Sequence, residues 1–185
     1  MKRILFTAFA CLTLAACAHA QPPAKAPASP PPAAEAAPVP TPKALDFGTL
    51  PDGWQAERNP EGNARGLINI AFDLVANAQV KVFAMDDEGK SLEDSAKGFR
   101  EMIMSNGHEA SAPVKDKDGN WIIEVTIIEK NEAGKTEKTG KGFAIFRTFK
   151  NDPKAFYAFI GMWPTASDAT AGPQARALSL GATLK

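Results

Sequence analysis

The chain predicts an α+β domain built on an antiparallel sheet, and three observations carry that expectation. Residues 79–85 and 121–130 alternate apolar and polar side chains with period 2, the pattern of a half-buried strand. Asp118-Gly119-Asn120 is a hairpin signal just ahead of the second of these runs. A single capped helical stretch, residues 91–107, stands between the early strands and a later meander.

In chain order, Lys2 and Arg3 form a charged start, and Ile4 to Ala16 an apolar run. A bilayer-spanning helix needs about 20 apolar residues, so this run falls in the range of a secretory signal. Leu14-Ala15-Ala16-Cys17 resembles the lipobox of bacterial lipoproteins, which places cleavage before Cys17 and acylation on it. Residues 1–16 are therefore read as a signal peptide, carrying Cys11 away with them. Residues 17–43 are read as a lipidated Cys17 followed by a disordered linker, almost all Ala and Pro, that cannot bury itself. Residues 44–185 are read as one globular α+β domain, long enough for one core.

Within that domain, Leu45, Phe47 and Leu50 are the first bulky hydrophobes, and Pro51-Asp52-Gly53 is a turn before Trp54. Residues 54–59 and 67–72 read as strands, the second with Ile68, Ile70 and Phe72 on one face. A third strand sets Val80, Val82 and Ala84 against Lys81, Phe83 and Met85. Ser91 with Asp94 approximates a capping box, Leu92, Ala96, Phe99 and Ile103 form one helical stripe, and Asn106-Gly107 closes it. A short strand over residues 110–117 leads into the hairpin turn. Trp121, Ile123, Val125 and Ile127 then share a face of the next strand. Residues 142–150 and 155–163 carry apolar side chains on both faces, as central strands do. Residues 164–173 read as a loop, and residues 174–184 as a closing helix with Ala175, Leu178 and Leu184 inward.

Pro51, Gly53 and Trp54, the Ser91-Leu92-Glu93 helix start, the meander and the terminal helix with Ser179-Leu180 resemble the Mog1/PsbP-like fold, which includes small envelope lipoproteins of the DcrB-like kind. The resemblance implies an α/β/α sandwich: an antiparallel sheet of six to seven strands flanked by helices. It also implies a non-catalytic accessory or binding role, and no shared catalytic residues.

Candidate chemistry is sparse. The 21 Lys+Arg balance the 21 Asp+Glu, and loss of Lys2 and Arg3 leaves a slight acidic excess. Nothing in that balance points to nucleic acid or an anionic membrane surface as a partner. Of the two histidines, His19 lies in the linker and His108 after the helix cap. Asp116, Asp118 and Asn120 resemble the start of a calcium loop, but Trp121 stands where its glycine belongs, and Ile127 where its bidentate glutamate belongs. Asp86, Asp87 and Glu88 form an acidic cluster that could hold a cation or act as an acid/base pair. Tyr157 and Trp163 are the side chains to inspect for a ligand groove. No nucleophile elbow, phosphate loop or dinucleotide fingerprint occurs in the sequence.

These readings converge on a non-catalytic envelope lipoprotein, with no cofactor, no catalytic residue and no metal ligand assigned. Its expected partners are the membrane, through the lipid anchor, and an envelope protein. Ala18 rather than aspartate after the cysteine, by resemblance to proteobacterial lipoproteins, favours the outer membrane of a Gram-negative bacterium, facing the periplasm. A small-ligand module with a cleft between sheet and helix, and an enzyme with a carboxylate-only site, are the alternatives.

Overall fold

The computed structural model describes residues 45–59, 66–86 and 88–185. Cys17, the linker residues, residues 60–65 and Asp87 lie outside the described residues. The elements run β1 (Leu45–Asp46), β2 (Trp54–Arg58), β3 (Gly66–Asp73), β4 (Ala78–Asp86), α1 (Leu92–Ser105), β5 (Glu109–Ala110), β6 (Val114–Lys115) and β7 (Trp121–Lys130). They continue with β8 (Thr136–Phe149), β9 (Asp152–Pro164), a 3-10 turn (Thr165–Ser167), α2 (Asp168–Gly181) and β10 (Thr183–Leu184). One antiparallel sheet of eight strands takes the order β2-β3-β4-β9-β8-β7-β5, with β6 also paired to β7. β1 and β10 pair with each other apart from it.

The sheet is larger than the six to seven strands expected. The strand anticipated over residues 110–117 is split into β5 and β6 because Pro113 has no N–H to donate. Ser111 repairs the ladder between them: its N–H donates to Glu124 O (2.9 Å), while its Oγ accepts from Glu124 N (3.0 Å).

Each sheet face is covered by one helix. On one face Val80, Val82, Phe143, Ile145, Tyr157, Phe159 and Trp163 pack with Ala171, Ala175 and Leu178 of α2. On the other, Ile123, Ala144, Phe146 and Ala158 pack with Ala96 and Phe99 of α1. As β8 and β9 occupy the middle of the sheet, both of their faces are apolar, as expected. α1 is also as expected, since its signals are local: Ser91 Oγ accepts from Asp94 N (3.1 Å), and Gly107 takes φ +83. No helix of the described residues is long and apolar enough to cross a membrane.

Two expectations are corrected. Ile68, Ile70 and Phe72 do not share a face, because the β3–β4 register shifts between Leu67 and Asn69. The bulge sends Ile68 into the core under α2, while Ile70 and Phe72, opposite Lys81 and Gln79, lie on the other face. α2 starts at Asp168, well before the expected residue 174, and runs through Pro173. Asp168 pins that start by accepting from Trp163 Nε1 (2.9 Å) and pairing with Lys141. Leu184 is buried as anticipated, but within β10, opposite Leu45.

Candidate functional site

The hairpin joining β3 to β4 turns two large aliphatic side chains into solvent. Leu74 is 77% exposed and Val75 95%. Turns are ordinarily polar, so an aliphatic pair at a tip serves no local conformational need.

Everything around the pair is tied down. Asp73, itself buried, directs Oδ1 at the turn and accepts from Val75 N (2.8 Å) and Ala76 N (3.0 Å). Gly53 lies against that carboxylate: a Cβ there would sit 3.2 Å from Asp73 Oδ2, and its φ of +87 suits glycine. Ala76 packs toward the core, and its carbonyl accepts from Ser167 Oγ (3.0 Å). Asn77 closes the turn at φ +51, a left-handed conformation that asparagine tolerates. Next door, Trp54 is buried and donates through Nε1 to Gln174 of α2 (3.0 Å). The main chain at the tip is thus set by Asp73 of the hairpin itself, backed by Gly53, and by Ser167, while Leu74 and Val75 project from it.

The residues singled out from the sequence lie elsewhere, and the structure does not gather them. Tyr157 and Trp163 both point into the core beneath α2, 2% and 5% exposed. The Tyr157 hydroxyl donates to Asp152 Oδ2 (2.7 Å), and its ring meets Phe149 edge-on at 4.9 Å. Trp163 packs on Phe143. Six residues apart on β9, they lie roughly 20 Å from each other at about 3.3 Å per residue. Asp86 and Glu88 are exposed at the end of β4 and beyond it, whereas Asp87 and Cys17 lie outside the described residues.

His108 Nδ1 accepts from Ile128 N (3.2 Å) where the β7–β8 register shifts, so its ring ties the end of α1 to β7. Asp116 organises its hairpin turn by accepting from the N–H groups of Asp118 and Asn120, both at 2.9 Å, and from Asn120 Nδ2 at 2.8 Å. Arg147 reaches across to α2, its Nη1 donating to Ser179 O (3.1 Å) and Leu180 O (2.9 Å) with the guanidinium over Phe149. Burial pushes the Arg147 pKa down, against the pull of Asp116 and Asp118. His108 and Arg147 thus hold one element to another and Asp116 holds its own turn, although Arg147 Nε is buried without a hydrogen-bond partner among the described residues.

Sequence reading missed Leu74 and Val75, which look like the tail of a strand. The available signal was their place between Asp73 and Asn77, two turn-forming residues.

The class defined by this architecture is an antiparallel α+β sandwich with an apolar hairpin tip. No family model matches the chain, and no curated protein does. Among solved structures, it is similar to the solution structure of cyanobacterial PsbP (CyanoP) from Synechocystis sp. PCC 6803. That likeness has a TM-score of 0.47 and 11% identity over 83% of this chain and 99% of that one. No residue or role carries over from a likeness of that size.

Proposed function

We propose that this protein is a non-catalytic envelope lipoprotein with an accessory, binding role, anchored through Cys17 at the outer membrane and facing the periplasm. One contrast supports the binding role: Asp73, Tyr157 and Trp163 are engaged within the fold, while Leu74 and Val75 are turned outward on a fixed turn. Fixed apolar projections favour contact over turnover, because binding gains when a contact group is already held in place. The lipobox and the Ala/Pro stretch support the anchor and the reach, and several acyl chains hold far more firmly than one.

Metabolic labelling with a radioactive fatty acid, followed by membrane fractionation, tests the anchor. Label is expected on the wild-type chain in the outer-membrane fraction and absent from Cys17→Ser. Wild-type protein recovered unlabelled in the soluble periplasmic fraction refutes the reading.

A further inference from the structure

The tip and Leu45, where the described residues begin, lie at opposite ends of the sheet. Leu45, the first described residue, pairs with Leu184, whose carbonyl accepts from Asn151 in the β8–β9 turn. The tip lies at the other end of the same strands, where Gln79 faces Met162 near the close of β9. β9 spans 13 residues, so the two ends are separated by roughly 35–40 Å at about 3.3 Å per residue. A short tether would hold the Leu45 end against the anchoring bilayer and keep the tip away from it. Residues 18–43 are not short: at about 3.1 Å per residue an Ala/Pro-rich chain of that length reaches roughly 80 Å. That is enough to pass the whole domain.

We propose that Leu74 and Val75 form a finger that inserts into the lipid bilayer when the tether lets the domain turn its hairpin end to the membrane. This rests on the lipoprotein reading above and names the envelope component that the exposed pair meets. Two adjacent aliphatic side chains on a convex turn fall far short of the roughly 800 Å² per partner of a specific protein interface. A bilayer asks for no shape complementarity, only apolar groups that can sink a few Å past the headgroups. The residues holding the tip, Gly53, Asp73, Ala76 and Ser167, include no cation, so insertion is apolar rather than a response to anionic headgroups. Two side chains alone hold a free protein weakly. Tethering at Cys17 makes the contact intramolecular, and the raised effective concentration sustains it.

The test uses the chain from Cys17 onward, whose single thiol is coupled to a maleimide lipid in nanodiscs of phosphatidylethanolamine and phosphatidylglycerol that also carry an acyl-chain nitroxide. Methyl NMR signals of Leu74 and Val75 are expected to lose several-fold more intensity than those of Val114, an exposed valine (62%) on β6. Shortening residues 18–43 to eight residues, a reach of about 25 Å, is expected to abolish the difference. Leu74 and Val75 broadened no more than Val114 would overturn the proposal. So would broadening that persists unchanged on the short tether, or a photo-crosslinker at position 75 that joins a single protein instead of lipid in cells. Chemical coupling bypasses acylation in the cell, so failure of the anchor reading and failure of this one are separately visible.

Discussion

The ring of Phe143 lies over Gly161 on the neighbouring strand, so close that a Cβ added to Gly161 would sit 2.6 Å from ring atoms Cε1 and Cζ. The two residues are direct partners across β8 and β9. Phe143 is fully buried and touches Trp163, so the ring has nowhere to retreat. Gly161→Ala is therefore expected to cost about 1–3 kcal/mol by overpacking, read as a lower urea midpoint at unchanged slope. An unchanged midpoint would mean that the ring is free to move aside.

On the opposite face, Phe99 of α1 meets Phe146 edge-on with centroids 5.6 Å apart. Phe99 is only partly buried, so Phe99→Ala is expected near the lower end of the usual range, about 3 kcal/mol. Thermal melts of the two proteins check this. Coincident melts would show that the helix stripe does not pack as described.

Four carboxylates, Asp46, Asp94, Asp116 and Asp168, are held below their usual pKa and set an acid limit on stability. Burial pushes the Asp116 pKa up, but the Asn120 side chain and the N–H groups of Asn120, Asp118 and Gly119 outweigh it and hold it below the usual value. Asp168 is lowered chiefly by its hydrogen bond from Lys141, and next by the Trp163 indole. A carboxylate lowered by folding contributes stability that is complete above its unfolded pKa, about 3.9, and is lost as pH falls through the folded value. Urea resistance is expected to be level above about pH 5 and to decline below about pH 4. Asp116→Asn and Asp168→Asn should each show a shallower decline. Acid limbs that superimpose on the wild type would count against both contacts.

Leu74→Ser and Val75→Ser should leave the melting temperature nearly unchanged. Both side chains stand in solvent at 77% and 95% exposure, and substitutions at such positions usually stay within about 0.5 kcal/mol. Asp73→Ala should behave in the opposite way, since it removes the acceptor of two turn N–H groups. The turn groups that lose their acceptor make the expected cost about 1–2 kcal/mol. Urea unfolding of the three variants separates the groups that build the tip from those that the tip displays.

By itself the sequence determined what nearest neighbours along the chain decide. The alternation of Val80, Val82 and Ala84 chose a strand and its buried face, because period 2 is a property of the backbone. Ser91, Asp94 and Gly107 marked both ends of α1, because caps bond within a few residues. The doubly apolar runs of β8 and β9 marked the middle of the sheet. Tertiary structure decided the rest. The bulge at Ile68 answers to the register of β4, and α2 passes Pro173 because Asp168 is pinned by Lys141 and Trp163 from β8 and β9. Leu74 and Val75 are exposed because Asp73, Gly53 and Ser167, from three separate segments, fix the turn and fold Ala76 inward beside them. Asp73 and Asn77 mark the turn locally, but the exposure of the pair also depends on distant segments.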